Sequence, residues 1–537
     1  SAVILKPAPQ AKRCGALVAE CLWAAGVPKE VLALVDVGEN ELGKALLTHE
    51  AVERVVLTGG AETAELFRSW DPKMRIMAET SGKNAIVITP SADLDLAVKD
   101  VVNSAFGHAG QKCSAASYVI LVGSVGFSKR VHDQLLDAVR SLKVAWADDL
   151  SAQMGPLAAE PTGKLLRGLT TLEPGQKWEI TPRRLDETNR LWSPGVRSGV
   201  EPGSEYHLVE YFGPILGIMR VNTLEEAIDA QNATDYGLTA GLHSLDPDEI
   251  NLWLNGIQAG NVYVNRGITG AIVQRQPFGG WKRSVVGEGA KAGGPNYLFG
   301  FGDFTPAPAA APASAQGSGT VRKPQLTELA ALGHRLLDEE AAARLDQAIA
   351  SDSLAAATEF DVLHDPSQVR AERNILRYVP LPVTIRAGAT AKLEDILRVL
   401  SAGLALGQIR AKDPLGFERL FSGGRHMPMP LHLSTARPIP SELDSFLDRY
   451  GVEHSIEDSA SFASNFQREG VGLDERIRLI AEDGDALRTA LKGSIDIAIW
   501  DGPITGAGRI EILPFVHEQA ISITNHRFGN RTPLSAQ

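Results

Sequence analysis

Short runs of apolar residues alternate with amphipathic stretches along the first eighty residues of the chain. The stretch over residues 10–25 places its apolar side chains at helical spacing, which predicts a helix that ends at Gly26. Continuous apolar strands separated by helices are typical of βαβ units on a parallel sheet, because such a sheet is buried on both faces. The pattern predicts four strands in this part of the chain, over residues 2–5, 31–35, 55–57 and 75–78.

Two further regions of mixed α/β pattern follow. The first covers residues 81–282, and residues 283–304 extend it as a tail rich in glycine and aromatic residues. Residues 305–320 then hold three Pro, six Ala, two Gly and no charged residue, which predicts an interdomain linker over residues 305–322. Residues 323–537 read as a second, smaller α/β domain. Between residues 81 and 537 the pattern predicts strands at 86–88, 118–122, 260–265, 379–385, 430–433 and 495–500, and helices at 94–106, 392–406, 442–450 and 485–491.

Length, charge and cysteine usage bound the class of protein. A chain of 537 residues is too long for one hydrophobic core. Its 53 basic and 65 acidic residues leave a net charge of −12, which argues against nucleic acid or an anionic membrane as the main partner. No apolar run is long enough to span a bilayer, and three cysteines fit a reducing compartment, so we expect a cytoplasmic protein. The chain starts at Ser1 on an apolar run, so we expect a fragment or the downstream part of a larger polypeptide.

Cys113 is the sharpest candidate for chemistry. It lies in the sequence FGHAGQKCS, between a predicted helix and a predicted strand, among small residues that leave room for a carbonyl group. The alternative is an inert core cysteine, because free cysteine is one of the most buried residue types. Cys14 and Cys21 are seven residues apart on one predicted helix, too far for a disulfide, so we expect both to fill the core. No His or Cys cluster has the spacing of a zinc site.

Glu79 is the second candidate. It stands in AETSGKN at the carboxyl end of a predicted strand, where parallel sheets face their ligands. A carboxylate there could act as a general base on water. The alternative is a helix cap or a solvated loop acid.

Six motifs occur in the order and approximate spacing of the aldehyde dehydrogenase superfamily, which the chain resembles over about 300 residues. They are LKPAPQ at Lys6, LTGG at Thr58, AETSGKN at Glu79, GQKCS at Cys113, EYFGP at Glu210 and PFGGWKRS at residues 277–284. Residues 191–196 and 263–284 resemble more narrowly the L-glutamate γ-semialdehyde (pyrroline-5-carboxylate) dehydrogenase branch. With the long C-terminal extension, they resemble the downstream part of the bifunctional proline utilization A family.

The resemblance implies an α/β fold and a reaction mechanism that depends on Cys113 and Glu79. It implies a partial Rossmann NAD-binding domain over residues 1–80 and a catalytic domain over residues 81–282, completed by the tail at 283–304. A smaller aldehyde dehydrogenase-like domain without catalytic residues would follow over residues 323–537. Cys113 would attack the aldehyde to give a thiohemiacetal and then a thioester, and Glu79 would activate the hydrolytic water.

The resemblance also assigns binding residues. Lys6 would reach the adenosine ribose of NAD, and the pyrophosphate would lie near a glycine turn that opens a helix. The residues implied for cofactor binding are Lys6, Thr58, Gly59, Gly60, Glu210 and Phe212. For substrate, the family's anchor loop holds an α-carboxylate with backbone N–H groups, which here implies Gly270 and Ala271, with Ser114 helping and Phe278 packing on the aliphatic chain. Each of these residues also has an ordinary structural explanation, and residues 267–270 alone could be a simple turn.

Departures from the family leave alternatives open. The Asn that donates to the oxyanion stands upstream of Lys6 in the family and is absent here. Pro9 replaces an acid that many members use for the adenine ribose, so NADP is not excluded beside NAD, and Gly60 replaces a common Ser. One rival is an aldehyde dehydrogenase for another small aldehyde. Another is a catalytically incompetent fragment or assembly module.

The resemblance implies partners as well. An upstream proline dehydrogenase domain would carry FAD in the full-length protein, and none of that domain is present in this sequence. We expect a homo-oligomer, and no nucleic acid or metal bound by this segment. His517, His526 and Arg527 attract attention near the C-terminus, but we predict no chemistry there.

Overall fold

The computed structural model describes residues 2–302, 304, 323–406, 431–468, 472–527 and 530–531. The linker predicted over residues 305–322 lies outside the described residues. None of the described helices combines the length and the apolar character that a membrane crossing requires.

The N-terminal region has the βαβ organisation that its sequence pattern predicts. Strands β1 and β2 pair in parallel, and β3 pairs in parallel with β4. The elements are β1 (Val3–Leu5), α1 (Lys12–Ala24), β2 (Leu32–Leu34), α2 (Glu41–Leu47), β3 (Val55–Thr58), α3 (Ala61–Trp70) and β4 (Ile76–Glu79).

The middle region supplies most of a large sheet and the helices that cover it. Helix α4 occupies the predicted residues, begins with a side-chain cap from Asp93 and buries one face against the sheet. The strands are β5 (Asn84–Ile88), β6 (Ala116–Val122), β7 (Lys177–Ile180), β8 (Gly195–Val200), β9 (Ile215–Val221), β10 (Tyr236–Gly237), β11 (Thr239–His243), β12 (Asn261–Val264), β13 (Trp281–Lys282) and β14 (Val285–Val286). The helices are α4 (Leu94–Phe106), α5 (Lys129–Arg140), α6 (Gly163–Thr170), α7 (Glu205–Leu208), α8 (Leu224–Asn232) and α9 (Pro247–Gly256).

The C-terminal region contains a five-stranded parallel sheet flanked by helices. Its strand order is β18-β17-β16-β19-β20. The strands are β15 (Glu372–Pro380), β16 (Val383–Ala387), β17 (Leu431–Thr435), β18 (Glu453–Ile456), β19 (Glu475–Ile480), β20 (Ile497–Trp500), β21 (Val516–Thr524), β22 (His526–Arg527) and β23 (Asn530–Arg531). The helices are α10 (Pro324–Leu336), α11 (Glu339–Ala355), α12 (Leu393–Ala405), α13 (Ser441–Arg449), α14 (Ser459–Arg468), α15 (Gly484–Ala490) and α16 (Gly508–Glu511).

Two strands of the C-terminal region join the large sheet of the middle region. Among the described residues the sheet has the order β15-β21-β12-β11-β5-β6-β9-β8-β7. Strand β21 runs parallel to β12, with Asn261 opposite Ala520, and β15 closes the edge in antiparallel register. Ile375 and Ile521 therefore lie in the same hydrophobic core as β5 and β6. The large sheet and its core therefore include residues from both sides of the linker predicted over residues 305–322.

Two expectations from the sequence were wrong. The single strand predicted over residues 379–385 is the end of β15 and the start of β16, which belong to different sheets. Pro382 stands at the break, where its missing N–H cannot contribute to a ladder. Cys14 and Cys21 do not fill a core, because α1 buries only Ala19 and both cysteines are exposed.

Candidate active site

The carboxyl ends of β3 and β4 bring Glu79 beside the predicted cofactor turn. Thr58 stands opposite Glu79 in the ladder, and the Gly59 N–H donates to the Glu79 carbonyl at 3.2 Å. Gly60 is the N-cap of α3 and supplies no side-chain cap to the first turn of this helix. Lys6 directly follows β1 and is half-buried. The strand-end position inferred for Glu79 is therefore confirmed.

Cys113 lies on a sharply turned segment between α4 and β6. His108, Ala109 and Gly110 have φ values of 57°, 54° and 66°, so three consecutive residues adopt the left-handed region. At Gly110 a side chain would also collide with the backbone, because a Cβ there would lie 2.1 Å from the carbonyl oxygen of Gly213. The turn leaves Cys113 partly exposed. Cys113 is therefore not a fully buried core residue.

Asn84 fixes the backbone around Cys113. Its Nδ2 donates to the carbonyl oxygens of Cys113 at 2.8 Å and Ala115 at 2.9 Å, while its Oδ1 accepts from the Thr239 N–H at 3.0 Å. Gly82 packs directly against this loop, since a Cβ there would lie 2.5 Å from the Cys113 carbonyl oxygen. The AETSGKN segment therefore carries Glu79 and also positions Cys113. Sequence reasoning missed this role of Asn84, although the residue stands inside a motif that it singled out.

Glu210 is connected to the same segment. Its Oε1 accepts from the Gly82 N–H at 3.1 Å, and the side chain is buried. Phe212, two residues later, has φ 57° and keeps about two fifths of its surface exposed (41%). The Gln111 side chain donates to the Phe212 carbonyl at 3.3 Å, which ties this turn to the Cys113 loop. The structure thus brings Glu210 and Phe212 to the same place as Glu79 and Cys113.

Burial dominates the electrostatics of the cluster. It raises the pKa of the Glu79 carboxyl to about 8, and the Glu79 Oε2 atom is buried without a hydrogen-bond partner. Burial also raises the pKa of the Cys113 thiol, and the carboxylates of Glu79 and Glu210 raise it further. The resting site therefore favours a neutral thiol beside a carboxyl that loses its proton near neutral to mildly basic pH. Among the described residues, no group of three or more His, Cys, Asp or Glu is placed to hold a metal ion.

The predicted anchor residues lie on a loop after β12. Gly270 has φ 85°, a conformation that favours glycine, and Ala271 follows it half-buried. Phe278 is half-buried and pairs with Ala292 through two backbone hydrogen bonds of 2.8 and 3.0 Å. Ser114 is buried, and its carbonyl accepts from the Thr239 hydroxyl at 3.3 Å.

Residues of the C-terminal region hold this anchor loop in place. Gln276 donates to Asn374 Oδ1 at 2.6 Å and Ser522 Oγ at 2.9 Å, and it accepts from the Ile272 N–H at 2.8 Å. The Glu372 carboxylate binds Arg266 and Arg275 of the loop. Sequence reasoning missed these contacts, because the partners are about 100 to 250 residues apart along the chain and no local pattern connects them.

The sheet topology and the cluster around Cys113 can be compared with a known protein family. Residues 1–301 match the aldehyde dehydrogenase family, so this chain belongs to that family. The α/β, aldehyde dehydrogenase-like fold that the sequence predicts is confirmed.

Within this family, the chain is similar to several known proteins and solved structures. The chain is 33% identical over 309 residues to a 1-pyrroline-5-carboxylate dehydrogenase of Bacillus pumilus, covering 55% of this chain and 58% of that protein. The solved structure of proline utilization A from Corynebacterium freiburgense is 42% identical, with a TM-score of 0.80 over 98% of this chain and 48% of that one. A Thermus 1-pyrroline-5-carboxylate dehydrogenase with bound NAD is 33% identical, with a TM-score of 0.52 over 56% of this chain and 59% of that one. This chain thus spans less than two thirds of each.

Proposed function

We propose that this chain carries out the NAD-dependent oxidation of L-glutamate γ-semialdehyde, which forms from pyrroline-5-carboxylate, to L-glutamate. The observation that carries the proposal is the convergence of Cys113, Glu79 and Glu210 on one segment, residues 79–84. The relatives named above support the choice of substrate. In the full-length protein we propose an upstream, FAD-containing proline dehydrogenase domain as the source of the semialdehyde, and a homo-oligomeric assembly.

The residues present fit a dinucleotide. The first turn of α3 has no side-chain cap and follows Thr58, Gly59 and Gly60, so it would offer a positive helix end to a pyrophosphate. Lys6 would bind the adenosine ribose, and Glu210 and Phe212 would hold the nicotinamide ribose and ring. NAD is the cofactor proposed, with NADP as the alternative to be tested. When bound, it supplies the acceptor for the hydride that the aldehyde carbon loses.

Cys113 and Glu79 would divide the reaction between them. The Cys113 thiol loses its proton to solvent, and its sulfur forms a bond to the aldehyde carbon, giving a thiohemiacetal. The Cys113 N–H would stabilise the oxyanion. After oxidation to the thioester, Glu79 removes a proton from water, whose oxygen adds to the thioester carbon. The C–S bond then breaks, Cys113 leaves as the thiolate, and the carboxylic acid is released.

The anchor loop would recognise the amino acid end of the substrate. Backbone N–H groups at Gly270 and Ala271, with the Ser114 hydroxyl, would bind the α-carboxylate, and Phe278 would contact the aliphatic carbons.

Glutamate semialdehyde should therefore exceed propionaldehyde in kcat/KM by about 10-fold or more, because propionaldehyde has no group for the loop to bind. Ser114→Ala should lower kcat/KM for the semialdehyde alone.

A comparison of both aldehydes with NAD and NADP, by NADH or NADPH absorbance, tests this proposal. Equal kcat/KM for the two aldehydes would favour an aldehyde dehydrogenase of another specificity. If neither reduced cofactor nor protection of Cys113 from alkylation is seen, the assembly module is the better description.

Glu372 provides a second test of substrate recognition. Its carboxylate binds Arg266 at 2.6 Å and Arg275 at 2.9 Å, one on each side of the anchor residues. We expect Glu372→Gln to raise KM for the semialdehyde by about 10-fold, because charge-assisted hydrogen bonds to the loop are weakened. Propionaldehyde oxidation should change little. Glu340→Gln is the matched control, since Glu340 is exposed and pairs only with Arg344 among the described contacts. An equal loss with both aldehydes would contradict the assignment.

A further inference from the structure

Lys291 is a buried lysine without a role in the chemistry above. It is 2% exposed, and its Nζ donates to Asn261 Oδ1 at 3.0 Å and to the carbonyl oxygen of Gly279. Fully buried lysines are rare unless they are paired, because a desolvated ammonium is costly. The position of this charge therefore calls for a specific explanation.

The Gly279–Gly280 peptide lies between Lys291 and Glu79. Its carbonyl accepts from Lys291, and its N–H, on Gly280, lies close enough to Glu79 to lower the pKa of that carboxyl. The packing is tight on both sides: a Cβ at Gly279 would lie 2.9 Å from Glu79 Oε1 and 3.3 Å from the Lys291 Cα and Cγ. A cation on the carbonyl polarises the peptide and strengthens its N–H as a donor. One peptide group thus joins the lysine to the carboxylate.

Asn261 fixes the preceding peptide, Phe278–Gly279, from the sheet. It stands at the start of β12, and its Oδ1 accepts from the Gly279 N–H at 3.1 Å as well as from Lys291. Its Nδ2 donates to the Pro277 carbonyl at 3.0 Å. The backbone N–H of Gly279 and the Lys291 side chain are therefore both held by one strand of the large sheet.

Glu518 of the C-terminal region holds Lys291 from the other side. Its Oε2 accepts from the Lys291 backbone N–H at 2.8 Å, and its Oε1 accepts from Asn296 Nδ2 at 2.7 Å. The Trp281 indole N–H donates to the Glu518 carbonyl at 2.9 Å. Glu518 lies in β21, which pairs with β12 and β15. The sheet that spans both regions therefore sets the place of Lys291.

Lys291 and Glu79 interact with titratable groups from several elements. Glu79, Glu518 and His517 interact electrostatically with Lys291, while Glu79 also faces Cys113 and Tyr297. Burial lowers the pKa of Lys291 to about 8, and the carboxylates of Glu79 and Glu518 oppose that fall. The ammonium in turn lowers the pKa of Glu79.

We propose that Lys291, held by Glu518, is a positioning residue for Glu79 and acts through the Gly279–Gly280 peptide. It orients the carboxylate toward the acyl group on Cys113 and keeps it ionised at lower pH. This inference rests on the proposed function, in which Glu79 activates the hydrolytic water.

Hydrolysis of 4-nitrophenyl acetate tests the proposal without a dinucleotide. Acylation of Cys113 releases a burst of 4-nitrophenolate, and the later steady rate reports deacylation by Glu79. We expect Lys291→Met to keep the burst amplitude and to lower the steady rate by about 10-fold or more. The acid limb of its pH profile should move to higher pH, because the charge that lowers the Glu79 pKa is gone. Lys291→Arg should restore the limb in part, since it keeps the charge.

Lys282→Met is the matched control. Lys282 is also largely buried and donates to the carbonyls of Asn232 and Thr234, away from Glu79, so its loss should leave the limb in place. If Lys291→Met does not fold, Glu518→Gln takes its place: the Lys291 pKa then falls, and a smaller shift of the limb in the same direction is expected. An unchanged limb, or equal losses of burst and steady rate, would overturn the proposal. A wild-type protein without any burst would instead refute the proposed function.

Discussion

Cys113→Ala should abolish aldehyde oxidation, with a loss of kcat/KM of at least about 10³-fold. In the proposed mechanism the sulfur forms the bond to the aldehyde carbon, and an alanine side chain cannot replace it. The substitution removes one partly exposed atom and leaves the Asn84 hydrogen bonds to the loop backbone intact. The thermal unfolding midpoint should therefore stay close to that of the wild type while NADH formation disappears.

Cys21→Ala is the matched control for this experiment. Cys21 is exposed on α1, so its loss should change neither the activity nor the alkylation that inactivates the enzyme. Substantial NADH formation by Cys113→Ala, at the wild-type order of magnitude, would show that the nucleophile lies elsewhere.

Glu79→Gln should separate acylation from hydrolysis. The amide cannot remove a proton from water, so we expect the steady rate to fall by about 10² to 10⁴-fold. The first turnover needs no general base on water, and a burst of NADH close to one per site should persist. Rapid mixing with absorbance at the NADH band measures both phases.

The pH dependence gives this prediction a second readout. Because burial raises the pKa of Glu79 to about 8, the wild-type steady rate should increase as the pH rises through that region. The base is protonated below it and ionised above it, and Glu79→Gln should lose this limb. Glu53→Gln, at an exposed glutamate before β3, should keep both the rate and the limb. Loss of the burst together with the steady rate would contradict a base that acts only in hydrolysis.

The local pattern of apolar and polar residues was sufficient to predict most helices and strands of the fold. Helix α4 begins and ends where its apolar spacing predicts, and the strand before Glu79 ends at the expected edge. Both depend on residues close in sequence, whose spacing directly reflects which face is buried. The break between β15 and β16 was missed because the apolar run continues past Pro380, which ends β15, and Pro382, which stands between the two strands.

Contacts between residues far apart in sequence could not be predicted from local pattern. Asn261, Lys291 and Glu518 look like ordinary polar residues in the sequence, and only the pairing of β12 with β21 brings them together. Their importance comes from burial and hydrogen bonding between segments more than 200 residues apart, as for Lys291 and Glu518. The expectation that the C-terminal region carries no chemistry of its own stays a prediction.

The anchor loop was implied by the family resemblance and not by local pattern. The sequence by itself determined the chemical types and their order: a cysteine among small residues, a carboxylate at a strand end and a glycine turn before a helix. These are properties of neighbouring residues, since strands, turns and caps depend on local geometry. Only the tertiary structure decided that β15 and β21 complete the large sheet of the middle region and that a buried ammonium faces Glu79 through one peptide. The physical reason is that the pKa of a buried group depends on which residues exclude water from it. The orientation of a loop likewise depends on which residues from distant parts of the chain pack against it.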